Sequence, residues 1–405
     1  SPGLSVLHSF RGSDGAWSRG SLLRVGDTLY GRTALGGAYG SGTIFRIGTD
    51  GTGFAVLHSF TAGADNGQGN QPHHNAMFLL DGRLYGACLY GGNNDNAPPA
   101  PPGKPGKPKD GGPPPTAQVG NGTLFALSPQ GQGYAVVLPM RGGTDGSSHP
   151  HSPPTAVGAT LYGMTSDGGA HGRGTLYSVA ADGSGYRILH SFHPDTGSEP
   201  HGMVVTDSTG RALLGMTRKG GRPRTGQGAG VIFRYDLETG RYRVLHVFQK
   251  GVLTNGDTND HGFLTRVGHV LYGTTQWGGA GLKGTLFSIG EDGKNFRILH
   301  SFQGGKGDGA EPYGSLTPLQ GWLYGTTTRG GARNDGTLFR YNPATRKFQL
   351  LASFDRRTTG ALPEDNVVAD AQGRVLYGLT QTGGVHDPRG RLYYGTLFAF
   401  PVPRD

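Results

Sequence analysis

Seven side chains at one recurring position of this 405-residue chain have the types needed for proton transfer beside a negative charge. An element of the form Leu-Tyr-Gly recurs with its leucine at Leu29, Leu84, Leu161, Leu213, Leu271, Leu323 and Leu376. Ten residues before that leucine stand Arg19, His74, His151, His261 and Tyr313. The fourth and seventh copies carry two extra turn residues, and there His201 and Glu364 stand twelve before it. One equivalent position therefore holds Arg, four His, Tyr and Glu. His73 and His149 lie within two residues of it, and Glu199, Asp260, Glu311 and Asp365 stand near. Imidazole titrates near neutrality and serves as a base, phenol can return a proton, and guanidinium can neutralise an anion.

These residues need a scaffold that brings equivalent positions together. The leucines are spaced by 55, 77, 52, 58, 52 and 53 residues, so the chain is an array of seven copies with a period near fifty. Each copy contains four short segments rich in aromatic and β-branched residues, bounded by Gly, Asn, Asp or Pro. In the sixth they are residues 315–319, 322–327, 337–341 and 347–354. No segment has a helical period. The expected fold is all-β, a seven-bladed β-propeller with four antiparallel strands per blade, forming one domain over residues 1–405. The first copy begins with an outer-strand sequence (residues 6–10) and the last ends with a third strand (395–400), so the N-terminal strand should complete the C-terminal blade. Sevenfold geometry then places the seven side chains in a ring at the mouth of the central channel.

The loops between second and third strands open on the same face as the turns into the innermost strands. They place Tyr90, Asp167, Arg218, Lys219, Trp277 and Arg329 just before successive Gly-Gly pairs. Tyr90 and Trp277 suit stacking on sugar faces, and the cations suit gripping carboxylates or sulfates. His74, His261, Glu364, His73 and His149 complete the expected substrate contacts. By contrast His8, His58, His190, His246 and His300 recur inside the outer-strand sequence and are expected to be buried, hydrogen-bonded structural groups. Residues 93–121, a Pro/Gly/Lys-rich insertion in blade two, read as an extended loop that cannot form a core.

The pattern LYGTT–x–x–GG–x–x–x–x–GT–(L/I)F, preceded by PYGSL and followed by an HSF strand, resembles the GloVer (Gloeo_Verruco) tandem repeat of bacterial proteins. The resemblance covers essentially the whole chain. It implies an exported, propeller-like protein, secreted or periplasmic, and no single activity. The family commonly has Tyr at the ring position, as at Tyr313, so four histidines there depart from it.

Composition narrows the functions further. Hydrophobic residues make up 34%, there are 77 glycines, and the net charge is +9, which favours an acidic partner. No basic helix, zinc finger or RNA-binding motif is present, so nucleic acid is not expected. No apolar run is long enough to span a membrane. The single cysteine, Cys88, stands where the other copies have Thr and reads as a small buried residue. No cofactor is expected and no metal ligands are assigned, although imidazoles converging on an axis could hold a divalent cation. A monomer acting on an acidic polysaccharide or oligosaccharide is the reading these features favour.

The chemistry matches β-elimination from a uronate-containing polysaccharide: His151 or His201 as base, Tyr313 as acid and Arg19 as neutraliser of the carboxylate. Seven-bladed polysaccharide lyases such as ulvan lyases are similar in fold and use His and Tyr. The alternatives are a lectin-like propeller without chemistry, or a glycoside hydrolase, which would want two carboxyl groups at a set separation.

Overall fold

In the computed structural model the described residues are 3–61, 69–74, 76–92, 120–144, 146–222, 228–249 and 263–404. They contain strands and turns and no helix. Seven antiparallel sheets follow one another along the chain, each with four blade strands running from the axis outward (blade two adds the short strand Asn70–Pro72), and together they form a seven-bladed propeller. Blade six shows the pattern: Thr317–Leu319, Trp322–Thr327, Thr337–Asn342 and Lys347–Ser353 pair in chain order. Blade seven is completed by the chain's first strand. Ser5–Ser9 pairs antiparallel with Thr396–Pro401, Ser5 opposite Ala399 and Ser9 opposite Thr396. The insertion expected at residues 93–121 lies outside the described residues except for its end.

The core is divided among the contacts between neighbouring blades. One cluster joins Leu286 and Phe302 of blade five to Leu316, Leu323 and Phe339 of blade six. Another joins Trp322, Tyr324 and Phe354 of blade six to Leu376 and Phe398 of blade seven. A third joins Tyr377 and Leu397 of blade seven to Leu29 and Phe45 of blade one. No blade buries its faces alone, which is why the repeats must stack.

The repeat pattern is explained by close packing within each blade. The glycine of the Leu-Tyr-Gly element lies under the ring of an aromatic residue on the next strand, phenylalanine in six blades and Tyr177 in blade three. At Gly378 an added Cβ would come 2.4 Å from Phe398 Cζ. The last threonine of the second strand and the first of the third exchange hydroxyl hydrogen bonds, as in Thr275–Thr285 at 2.7 Å and Thr165–Thr175 at 2.8 Å. Cys88 takes the place of the first threonine in blade two and is buried, its thiol pushed up to about 12 by that burial.

The outer-strand histidines are structural, though not in the manner expected. They are half-buried, and each stacks on an aromatic ring of the next blade: His8 on Phe54 at 3.8 Å, His58 on Tyr134 at 4.0 Å, His190 on Tyr242 at 3.8 Å, His246 on Phe296 at 3.9 Å and His300 on Phe348 at 3.8 Å. His8 and His300 also hydrogen-bond Asp14 and Asp308, whereas Nε2 of His58 and of His190 is buried with no hydrogen-bond partner. Stacking rather than hydrogen bonding is what the five share.

Replacing Gly378 with Ala should cost about 1–3 kcal/mol through overpacking against Phe398. Equilibrium denaturant unfolding of Gly378→Ala, Phe398→Leu and the double variant checks this. The double variant should lose less stability than the two single losses summed, because the smaller side chain relieves the clash.

Candidate functional site

The site is built by the turn that leads into each innermost strand. The turn centres on a residue with positive φ: Trp17 (57°), Gln71 (51°), His149 (58°), Glu199 (53°), Glu311 (55°) and Leu362 (58°). Its N–H donates to a carbonyl of the preceding blade, as in Glu199 to Arg173 at 2.9 Å, Glu311 to Lys283 at 2.8 Å and Leu362 to Asp335 at 2.9 Å. Its own carbonyl accepts from the second strand of its blade, as in Arg218 to Glu199 at 3.3 Å and Thr328 to Glu311 at 3.1 Å. In five of these turns proline follows, and it packs on the glycine that opens the preceding blade's third strand. A Cβ on Gly284 would lie 2.6 Å from Pro312 Cδ. The residue after the proline is thereby aimed at the axis.

This register places Arg19, His73, His151, His201, Tyr313 and Glu364 at one position. In blade two the residue after the proline is His73, not His74. The expectation of His74 came from counting back from Leu84. Blade two has one additional residue between the turn and the inner strand, so counting from the turn reaches His73 and counting from the strand reaches His74. The extra residue doubles the position, and both imidazoles are buried and adjoin the cluster. His261 lies outside the described residues.

Five blades join in one contiguous cluster. Arg19 donates through Nε and Nη2 to the two carboxylate oxygens of Glu364, both at 2.8 Å, and Gln381 Nε2 donates to the same carboxylate at 3.2 Å. Arg19 Nη1 lies 3.4 Å from His73 Nε2, and its guanidinium stands 4.7 Å above the Trp17 ring. His73 Nδ1 and His74 Nε2 share a hydrogen bond of 2.9 Å, and His74 Nδ1 lies 3.2 Å from the Arg19 carbonyl. The His73 and His151 rings are 5.7 Å apart, and His151 stacks on His201 at 3.7 Å with 9° between planes.

Arg32, at the position where other blades have Thr or an apolar residue, supports the pair from below. It is buried and donates to the carbonyls of His74 at 2.8 Å, His73 at 3.3 Å and Ala87 at 2.9 Å. Thr274 and Thr326 make the corresponding bond to the next blade, to Gly314 and Asp365. Burial lowers the Arg32 guanidinium to about 10, still charged at neutral pH.

The electrostatics keep His73 and His151 neutral. Burial, then the charges of Arg19, His151 and Arg32, hold His73 well below the ordinary histidine range. Burial, then His201, His149, Arg19 and Arg218, do the same to His151. His151 Nδ1 is buried with no hydrogen-bond partner. Neutral imidazoles offer lone pairs to a proton or to a metal. One nitrogen each from His73, His74 and His151 lie within 4.8 Å of one another. Ligands about 2.1 Å from one ion lie at most about 4.2 Å apart. The three residues therefore fit a divalent transition metal after a small closing movement.

The surrounding loops bring some expected contacts to this cluster. His149 Nδ1 pairs with Asp167 at 3.0 Å, Ser166 Oγ donates to the same carboxylate at 2.7 Å, and the Tyr90 ring lies 5.4 Å from His149. Burial raises Asp167, but the hydrogen bonds from His149 and Ser166 more than offset it and the carboxyl titrates low. Burial, then Asp167, raises Tyr90. Arg218 and Lys219 gather on Glu199. Tyr313 stands on blade six, three blades from blade two and three from blade three, and its hydroxyl accepts from Gln276 Nε2. Arg329 pairs by backbone with Ala310, and Trp277 is exposed on its loop. Arg32 and Arg173 went unremarked in the sequence. Arg32 was detectable as a charge breaking the LYGTT pattern, whereas Arg173 offered no such signal.

In the metal-free protein, the buried neutral histidines tie stability to pH. Their folded pKa lies below the unfolded value near 6.5, so their contribution is complete above about pH 6.5 and is lost as pH falls, at up to about 1.4 kcal/mol per pH unit for each. Denaturant unfolding between neutral and mildly acid pH should show a shallower slope in His73→Asn and His151→Asn than in the parent.

Comparison with solved structures supports the fold. The chain is similar to an oligogalacturonate lyase in complex with manganese, at TM-score 0.54 and 11% identity, covering 99% of this chain and 93% of that one. It is also similar to a puromycin-hydrolysing peptidase of Mycobacterium tuberculosis, at TM-score 0.55 and 13% identity, covering 92% of this chain but spanning only 50% of the peptidase. At these identities the likeness concerns architecture alone. No sequence among the curated proteins matches. The family of Gloeobacter/Verrucomicrobia repeats matches over residues 114–307 and 225–398, together most of the chain, and the protein belongs to that family.

Proposed function

We propose that the protein is a carbohydrate-active enzyme, a lyase that cleaves a uronate-containing polysaccharide by β-elimination at the propeller axis. The observation that carries this reading is the pair His73 and His151, held neutral beside Arg19, with His151 Nδ1 buried and without a hydrogen-bond partner. Such a group can take the proton from the carbon beside a carboxylate. The stacked His151–His201 pair suits one proton at a time, since each ring's charge disfavours the other's. Taking that proton turns the pair cationic next to the developing anion, which stabilises it.

Arg19, the expected neutraliser, gives two N–H groups to Glu364. Arg218, 3.7 Å from the Glu199 carboxylate, is a second cation whose charge acts on His151 and which could meet the substrate carboxylate. Tyr313 returns a proton to the departing glycosidic oxygen. Alternatively, His73, His74 and His151 would hold a divalent ion, which would supply Lewis-acid polarisation of the carboxylate; His151 would then spend its lone pair on the ion, and His201 would act as the base. The oligogalacturonate lyase with manganese is consistent with this combination. Glu364 is committed to Arg19, which disfavours a glycosidase using it as one of two free carboxyl groups. Exposed Trp277 and Tyr39 on the same kind of loop also suit a lectin, the second reading.

Incubation with alginate, polygalacturonate and glycosaminoglycans, followed by ultraviolet absorbance, tests the proposal. The unsaturated uronate should accumulate, and His151→Ala or Tyr313→Phe should lower the rate by about 10²-fold or more. Loss of rate with chelator, restored by added manganese, would assign the histidines to a metal; indifference to chelator would leave them acting alone. Binding of these polymers without any unsaturated product would sink the lyase and leave the lectin.

A further inference from the structure

Blades four and six build the same hairpin with opposite charge. The third strand turns back into the fourth over residues 236–241 in blade four and 342–347 in blade six, with Tyr235 opposite Tyr242 and Tyr341 opposite Phe348. The first residue caps the turn in both. Asp236 Oδ1 accepts from the N–H groups of Glu238 and Thr239 at 3.1 and 2.9 Å. Asn342 Oδ1 accepts from those of Ala344 and Thr345, both at 3.0 Å. Asparagine does the backbone work of aspartate there without its charge. Ala344 likewise stands where blade four has Glu238. The next difference is conformational: Gly240 at φ 69° in blade four corresponds to Arg346 at φ 57° in blade six. Glycine adopts that conformation freely, whereas a residue with a side chain is disfavoured in it. Blade six thus lacks two acids and carries an arginine where the backbone favours glycine.

This change of charge falls at a recess between blades five and six, on the face opposite the axial histidines. Arg346 lines it with Arg297, Tyr272, Ser288, Tyr341 and Pro343, around a volume of about 400 Å³. Arg297, opposite Ser288, corresponds to Arg187, opposite Ser178, between blades three and four. In that valley the facing turn carries Asp236 and Glu238; in this one it carries Arg346. No Asp or Glu lines the recess, and neither Arg297 nor Arg346 has an ion-pair partner among the described residues. A second cavity of about 230 Å³ continues toward the axis, sharing Tyr272 and Pro343, with Val267, Pro318, Leu319 and Trp322 in its walls. The recess is therefore cationic at its outer end and apolar at its inner end.

We infer that this recess binds a small amphipathic carboxylate, with its acid group between Arg297 and Arg346 and its apolar body along Val267, Pro318 and Leu319. Guanidinium groups hold a carboxylate by charge-assisted hydrogen bonds, and the Ser288 hydroxyl and Tyr272 phenol supply further donors. A recess of this size, apolar with a few convergent polar groups, suits one small molecule rather than a polymer. A side chain kept in a disfavoured backbone conformation marks Arg346 as more than a solvated surface charge. The site stands apart from the axial histidines and from whatever reaction they perform.

Calorimetric titration with octanoate, phenylacetate and uncharged octanol tests the inference. One equivalent of a carboxylate should bind, and octanol should bind at least about tenfold more weakly. Preference for octanoate assigns an aliphatic body, and preference for phenylacetate an aromatic one. Arg297→Ala/Arg346→Gly should weaken carboxylate binding about tenfold or more. Glycine suits the conformation at position 346, so Arg346→Gly alone should lower affinity while leaving the thermal midpoint unchanged or raised, which separates lost binding from lost folding. Arg297→Lys/Arg346→Lys keeps both charges and should retain most of the affinity. Val267→Glu, at a position 43% exposed, sets a carboxylate at the apolar end and should also weaken binding. Arg187→Ala/Arg243→Ala removes two charges from the corresponding strand positions of blades three and four and should leave affinity unchanged. Equal loss in that pair would reveal a response to net charge alone and overturn the site. Full affinity in Arg297→Ala/Arg346→Gly, octanol binding as tightly as octanoate, or no binding of either carboxylate by the parent protein would each overturn it as well.

Discussion

The main-chain bond from the positive-φ residue of each turn to the preceding blade is the constraint on which the working face depends. At Glu199 that single residue ties two blades together. Its N–H reaches Arg173 in blade three, its carbonyl receives Arg218 in blade four, and the proline after it packs where only glycine leaves room. A left-handed conformation at a residue with a side chain is disfavoured on its own. It recurs around the ring because both backbone groups of the residue are held. The face is therefore rigid at the places where its functional side chains begin, while the hydrophobic clusters between blades supply most of the stability.

From that constraint the chemistry of the site follows. Side chains after the proline converge on the axis, and those at the positive-φ residue form a second circle around them: Trp17 over Arg19, His149 on Asp167, Glu199 among its cations. The first circle is buried enough to keep imidazoles neutral; the second remains open enough to meet a ligand. The charge of Arg32 beneath His73 and His74 adds to this by disfavouring protonation of His73 while holding the carbonyls of both. Acid–base capacity at the centre and cationic capacity at the edge are thus separated by little more than two residues of chain.

Much of this was legible in the sequence because it repeats. The seven leucines, the alternation of apolar residues and the Gly-Thr pairs report packing rules that every blade obeys, and the convergence of Arg19, His151, His201 and Glu364 follows from symmetry. What was not legible depends on contacts between different blades. Glu364 looks like a free carboxylate until Arg19, at the other end of the chain, closes on it. Arg173 is an ordinary residue before a glycine until Glu199 of the next blade reaches it. The outer-strand histidines repeat visibly, yet their partners are rings of the following blade, so stacking could not be told from hydrogen bonding.

The doubled histidine of blade two shows how such a ring can acquire asymmetry. Its extra residue falls between two anchored points, the held turn at Gln71 and the paired strand at Phe78–Leu80, so it adds a functional group without shifting either. In a protein made by repeat duplication, such a tolerated insertion lets one copy diverge while six keep the architecture. Novelty at the axis then costs little in foldability, and a symmetrical ancestor could gain a specialised centre by steps no larger than one codon.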